Sequence, residues 1–401
     1  MGRTSDRNVT RKSGKKKSRQ TKQQTDMIDH ILLAPYYLSL KLRHFLYDHG
    51  IRKSVKAAVP TVCIGNITVG GTGKTPHTEL TLRTLLSMEK AGGKHFAVLS
   101  RGYRRRSKGF QQVMTDSTAS FSGDEPLQIK TKFPEVTVAV DADRAEGCDF
   151  LCHPGKLKTS KKGRKCVNRE FLPADLIVLD DAFQHRSLKP DLTVLLIDYN
   201  RPVMTDHLLP IGRLRDLRER TKAADVIIIT KCPSFMEEQE KYGWMNSLGI
   251  RNFDPETLQG TNRSGRKQTI LFSTIQYCEA VRIFPEGDAH YIYSKRAILF
   301  SGIANDTPLR SYLAGKYRIA GHITFGDHHK FTKADIRMLR SAASGEPTAV
   351  MVTTEKDAQR LREMKEVPEI LRKRMFQVPI EAAFLTEHET AIFRQTLENL
   401  L

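Results

Sequence analysis

In the stretch TVCIGNITVGGTGKTPHTELTLRTLL an apolar run passes through a glycine-rich turn into an amphipathic segment. Gly70, Gly71 and Gly73 let the backbone bend until successive N–H groups converge, and the start of a helix just beyond them adds its partial positive charge. Residues Thr68, Val69, Gly70, Gly71, Thr72, Gly73, Lys74 and Thr75 are therefore a candidate phosphate cradle. Lys74 is placed to reach the β- and γ-phosphates of ATP, and the Thr75 hydroxyl to ligate Mg²⁺. The usual P-loop has a glycine five places before Gly73, where this chain has Thr68; here the additional glycine lies inside the loop. Chemistry on a triphosphate also needs a carboxylate at the end of a neighbouring strand. LIVLDDAFQHR supplies Asp180 and Asp181 directly after four apolar residues, with Gln184 and His185 following as polar groups able to orient a metal shell or a phosphate.

These residues need a rigid frame. TVCIGN, FAVLS, VTVAV, LIVLDD, LTVLLID and DVIIIT are short, uninterrupted apolar runs separated by longer amphipathic stretches. Strands read this way when helices cover both faces of a parallel sheet, so the fold expected is α/β, a P-loop NTPase-like parallel sheet domain. AILFSGI and AVMVTT add buried strands beyond a polar stretch at 254–270, and predict a second, smaller α/β domain. The expected division is a disordered basic tail over 1–26, a membrane-interface amphipathic helix over 27–50, a P-loop kinase domain over 51–262 and the smaller C-terminal domain over 263–401. The Lys-rich stretch 153–170 is expected to be an exposed excursion.

Composition narrows the partners. The formal charge of +20 favours an anionic ligand or surface. Residues 1–26 hold nine Lys or Arg against Asp6 and Asp26, and no apolar segment of a secretory signal follows them. Ile28, Ile31, Leu32, Leu38, Leu42, Phe45 and Leu46 recur at helical spacing, with Lys41, Arg43 and His44 between them. Two readings stand for that segment: a helix packed on its own domain, or one lying in a membrane interface with its cations near lipid phosphates. No run of about 18 apolar residues predicts a membrane-crossing helix. Six cysteines without a paired framework fit a reducing compartment, and Cys148, Cys152, His153 and Cys166 match no common zinc spacing. A nucleic-acid-binding NTPase is the rival class, but no recognition motif accompanies the charge, and no nucleic-acid partner is expected.

Taken in order, GNITVGGTGKTP, LSRGY, GDEP, DDAFQH, LLPIGRLRD, FGDHHKFT and TTEKD resemble the tetraacyldisaccharide 4'-kinases of lipid A synthesis, across roughly residues 30–360. The resemblance implies transfer of the γ-phosphoryl of ATP to the 4'-hydroxyl of tetraacyldisaccharide 1-phosphate, forming lipid IVA at the cytoplasmic face of the inner membrane. It implies a carboxylate–imidazole pair, Asp124 of GDEP and His328 of FGDHH, that receives the acceptor's proton; of His328 and His329 the first is expected to face inward. Lys74 and Arg215 are expected to act on the phosphates, and Thr75, Asp180, Asp181, Gln184 and Asp216 to serve the metal. Asp216 stands where the family usually has Glu. The cationic run of Arg101, Arg104, Arg105, Arg106 and Lys108 is open to two readings, a solvated face or a contact for the acceptor's 1-phosphate or bilayer phosphates. Lys231, Lys356 and Asp357 follow apolar strands, where they serve base recognition or simply close strand ends.

Overall fold

A computed structural model describes residues 33–401; the basic tail and the first apolar positions of the N-terminal segment, Ile28, Ile31 and Leu32, lie outside the described residues. A helix occupies 33–48 (α1). It is followed by β1 (Thr61–Gly65), α2 (Lys74–Leu86), β2 (Phe96–Ser100), β3 (Gln111–Val113), α3 (Ala119–Ser122), α4 (Asp124–Lys132), β4 (Thr137–Val140), α5 (Arg144–Cys152) and α6 (Lys156–Thr159). Next come β5 (Leu176–Asp180), β6 (Leu192–Asp198), β7 (Val226–Thr230), α7 (Glu238–Leu248), β8 (Arg251–Asp254), β9 (Gln259–Thr261), β10 (Lys267–Tyr277) and β11 (Val281–Arg282). The rest is β12 (Arg296–Ser301), α8 (Thr307–Ala314), β13 (Arg318–Thr324), α9 (Lys333–Gly345), β14 (Val350–Thr354), α10 (Glu355–Arg362), α11 (Glu369–Arg372), β15 (Met375–Val378), β16 (Ile380–Phe384) and α12 (Glu387–Glu398).

The larger sheet runs β3-β4-β2-β5-β1-β6-β7-β10-β9-β8, with β16 also on β10. Its strands from β4 through β10 are parallel, and β3, β9, β8 and β16 join antiparallel. Alternate side chains of one strand enter different cores: Cys63, Leu99 and Leu179 face one layer, Val62, Val98 and Val178 the other. Burial on both sides is why these strands read as unbroken apolar runs. The smaller sheet, β11-β15-β14-β12-β13, is likewise sandwiched, with Ile298, Phe300 and Met351 on one side and Leu299, Val350 and Val352 on the other.

Two features differ from expectation. The sheets do not part at 262/263. The polar stretch 254–270 is the β8–β9–β10 edge of the larger sheet, and the chain re-enters that sheet at β16, after which α12 sets Phe393 and Leu397 against Leu82 and Leu85 of α2. The smaller domain is therefore an insertion between β10 and β16. The Lys-rich stretch is not simply an excursion either: α6 and a 3₁₀ turn at Gly163–Lys165 seat Leu157 and Cys166 in the main core, while Lys158, Lys161, Lys162, Arg164 and Lys165 remain exposed. Cys148, Cys152 and Cys166 are core residues. Burial pushes the Cys148 thiol up to about 12, as for an inert, packed core cysteine.

Candidate active site

The glycine-rich loop leaves the carboxyl end of β1, between β5 and β6, where open parallel sheets bind ligands. Gly70 and Gly73 have φ of 103° and 85°, a left-handed backbone that a side chain would strain. The loop is pinned from outside. Thr230 Oγ1 donates to Thr72 O at 2.9 Å, Asn66 Nδ2 donates to Thr72 Oγ1 at 2.7 Å, and Val69 N donates to Arg213 O at 2.8 Å. Lys231 Nζ donates to Gly71 O and pairs with Asp198 at 2.7 Å, so it closes strand ends onto the loop. Thr72 N is turned inward to Gly70 O. Among the described residues the N–H groups of Gly70, Gly71, Gly73, Lys74 and Thr75 meet no acceptor, which leaves a converging set of donors at the start of α2.

Behind the loop stands His77, whose Nδ1 donates to Gly73 O at 2.7 Å while Ser273 Oγ donates to its Nε2 at 2.8 Å. Because a carbonyl oxygen can only accept, Nδ1 carries a proton, and the neutral ring is then the Nδ1–H tautomer with Nε2 accepting from Ser273. Burial pushes its pKa down to about 4, with the charge of Lys231 adding to the effect.

Lys74 points at Asn66 and at the strand-end carboxylate of Asp181: its Nζ is 3.5 Å from Asn66 Oδ1 and 3.9 Å from Asp181 Oδ1. Burial pulls its pKa down against the attraction of Asp181. Arg215 grips the same carboxylate, with Nη1 3.2 Å from Asp181 Oδ2 and Nη2 on Oδ1, and also holds Asn66. Burial alone would raise the Asp181 carboxyl, but Lys74 and Arg215 outweigh it and keep it ionised. Asp180 differs. It accepts only the hydroxyls of Thr78 (3.3 Å) and Ser100 (3.1 Å), and burial followed by the neighbouring Asp181 charge raises its pKa. Thr75 lies one helical turn before Thr78 and so shares its side of α2.

The second constellation forms where the two sheets meet. Asp124 opens α4, and its Oδ2 lies 3.1 Å from His328 Nδ1. Burial would raise this carboxyl, yet hydrogen bonds from His328 and Arg360 hold it down at about 2. His328 sits in a left-handed backbone (φ 59°) whose N–H donates to Gly302 O. His329 turns to Asp335 at 2.9 Å, beside the cap of α9. Glu125, next to Asp124, is within electrostatic reach of Lys74 and Asp180, and α4 packs against α2. From α10, Lys356 binds Glu125 at 2.6 Å, and Asp357 accepts Gly302 N at 2.9 Å and Thr354 Oγ1 at 2.8 Å. Lys356 therefore joins the domains, whereas Asp357 ties together strand ends within the smaller one.

A model of the tetraacyldisaccharide-1-P 4'-kinase family matches residues 29–401. This chain belongs to that family. It is 36% identical over 361 residues to the tetraacyldisaccharide 4'-kinase of Phocaeicola vulgatus, covering 88% of this chain and 89% of the relative. The enzyme of the same name from Flavobacterium johnsoniae is 33% identical, with 91% and 95% covered. Among solved structures, LpxK from Aquifex aeolicus, determined in complex with ATP, superimposes with a TM-score of 0.63 at 24% identity, covering 92% of this chain and 99% of that one. That likeness establishes the shared fold.

Within this family member, two residues expected to serve a metal are engaged elsewhere. Asp216 is buried, and its Oδ1 is 2.6 Å from His44 Nε2 of α1 and accepts Leu217 N at 2.8 Å. Gln184 donates its side-chain amide to Asn66 O. Tyr36 and Arg43 of α1 reach the carbonyls of Arg215 and Gln184, so α1 is fastened onto the loops that carry these residues. Of the cationic run, Arg101, Arg104, Arg106 and Lys108 are exposed, whereas Arg105 turns back to Ser107 and Gly109 O. No role for Asn66, Arg144 or Arg360 is read from the sequence. Arg144 is wholly buried and holds the carbonyls of Asp141 and Asp180; only its proximity in space, not its place in the helix RAEGCDFLC, marks it.

Proposed function

We propose that this protein is an ATP-dependent lipid kinase that transfers the γ-phosphoryl of ATP to the 4'-hydroxyl of tetraacyldisaccharide 1-phosphate, giving lipid IVA. Family membership supports the activity, and one observation supports the mechanism: a donor-lined loop with Lys74 at its exit adjoins a carboxylate–imidazole pair contributed by two domains. In this reading the free amides of Gly70, Gly71, Gly73, Lys74 and Thr75 hold the β- and γ-phosphates, and Lys74 follows the charge that spreads over the transferred group. Arg215 keeps Asp181 ionised and the end of β5 fixed. Asp124 orients His328 so that Nε2 faces the acceptor. As the sugar oxygen attacks the γ-phosphorus and the bond to the bridging oxygen of ADP breaks, the hydroxyl proton passes to Nε2.

The residues present fit Mg²⁺. Thr75 Oγ1 and Asp180 are hard oxygen donors, and Mg²⁺ is typically held by one or two carboxylates together with substrate phosphates. Asp180 is buried beside a like charge, a burden that a cation would relieve. Thr75 and Asp180 would hold the cation, whose charge would offset that of the phosphates.

The acceptor is a glycolipid, and α1 suits a bilayer surface. Leu38, Leu42 and Phe45, spaced four and three apart, are 62%, 59% and 49% exposed, while Leu33, Leu40 and His44 face the protein. Among the described residues no helix is long and apolar enough to cross a membrane, so the attachment proposed is peripheral, at the cytoplasmic face of the inner membrane.

The test is incubation with γ-labelled ATP and disaccharide 1-phosphate in mixed micelles. Label should appear on the lipid, and Lys74→Ala should abolish it while the protein stays folded. Label released only as inorganic phosphate, with nucleic acid accelerating the release, would overturn the proposal.

A further inference from the structure

Arg360 lies on α10, some distance in sequence from every residue discussed as reactive, yet it is the hub of the domain junction. Its Nη2 donates to Asp124 Oδ2 and is 3.2 Å from His328 Nδ1. Nη1 is 3.0 Å from Asp357 Oδ1, and at the far limit of 3.5 Å it reaches the carbonyls of Gly302 and His329. Those two carbonyls flank the left-handed turn that presents His328, since Gly302 O also accepts His328 N. One guanidinium therefore touches the carboxylate of the larger domain, the imidazole of the smaller one and the backbone on both sides of that imidazole.

The chemistry at His328 Nδ1 gives this contact a role. Asp124 Oδ2 at 3.1 Å and Arg360 Nη2 at 3.2 Å compete for one atom. An ionised carboxylate only accepts and a guanidinium only donates, so Nδ1 bonds to the first when it carries a proton and to the second when it carries a lone pair. Only the first state leaves Nε2 with its lone pair, free to take a proton. Arg360 Nη2 is closer to Asp124 Oδ2 than to Nδ1, and Asp357 anchors Nη1, so the guanidinium holds the Asp124 oxygen as the acceptor facing Nδ1 and favours that state. We infer that Arg360 is a positioning residue for phosphoryl transfer: it fastens Asp124 to the His328 turn and, through Asp124, sets which imidazole nitrogen is free to act as base. The inference rests on the reading of Asp124 and His328 given above.

The two ideas separate in a double-mutant cycle on the full-length protein, measuring kcat, KM for ATP and melting temperature. Arg360→Lys keeps the charge that neutralises Asp357 but loses the planar fork. It should lower kcat by about 10–100-fold, as the loss of an orienting partner does, with the KM for ATP and the melting temperature kept. In an Asp124→Asn background the same substitution should change kcat less than about twofold, because its route of action is already gone. Should Arg360→Lys melt early, the cycle is run with Arg360→Gln combined with Asp357→Asn, which removes the buried cation and its counter-charge together. A loss that multiplies with that of Asp124→Asn, a loss confined to the KM for ATP, or unchanged kcat in Arg360→Lys alongside a slow Asp124→Asn overturns this inference alone. Full activity in Asp124→Asn refutes the reading beneath it.

Discussion

Acidification should loosen the nucleotide loop through His77, by an amount that can be worked out. The side chain is buried between Gly73 O and Ser273, and its pKa of about 4 compares with 6.5 in an unfolded chain. The lost hydrogen bond is not the main cause, because the Ser273 hydroxyl can turn toward Ile229 O, 3.4 Å away, and accept from a protonated ring. The penalty comes from placing a charge where water is excluded, beside Lys231. Between the two pKa values the unfolded chain binds the extra proton, so stability rises with pH there. The contribution is complete above pH 6.5 and disappears as pH falls toward 4; by pH 5 about 2 kcal/mol is gone. The measurement is urea unfolding of the wild type and His77→Gln at intervals from pH 8 to 5. Carboxylates titrate in both proteins and cancel in the comparison. The wild type should lose about 2 kcal/mol more than the variant over this range. Parallel curves would show that the ring is hydrated or charged in the folded protein, and the argument for a neutral Nδ1–H tautomer behind the loop would fail.

Asp124→Asn should slow kcat by about 10²–10⁴-fold, the usual share of a positioned acid–base pair, without moving the KM for ATP; a defect in ATP KM alone would separate Asp124 from the acceptor. Leu38→Glu with Leu42→Glu should leave the melting temperature in place, since both side chains are exposed. The pair should reduce partition onto vesicles with an anionic phospholipid fraction by about 100-fold, on about 1.5 kcal/mol for each leucine withdrawn from lipid. Flotation assays that find the variant still bound would assign attachment to another surface.

The phosphate loop and its strands were legible because their physics is local: glycines at a bend, a lysine at a helix start, and apolar runs long enough for a strand buried on both faces. The domain boundary was not. A polar stretch at 254–270 reads as a linker, but it is an edge hairpin whose exposed side tolerates such residues, and nothing in IEAAF announces that β16 returns to a sheet left a hundred residues earlier. The helix EKDAQRLR is mostly polar, yet Glu355, Asp357, Gln359 and Arg360 are buried, because most of their charges find partners on α4 and on the turns beside it. Asp216 could be assigned to a metal shell from its place after LLPIGRLR; that it pairs with His44, 172 residues away, depends on the docking of α1.

The return of the chain through β16 and α12 also bears on biosynthesis. The helix behind the phosphate loop packs on Phe393 and Leu397, and Arg83 of that helix pairs with Glu381 at 2.9 Å. A nascent chain that has emerged only as far as the small sheet therefore holds every reactive group except a finished support for them. Nucleotide capture is therefore expected to need residues beyond 380, and a chain stopped before β16 should show weakened ATP binding.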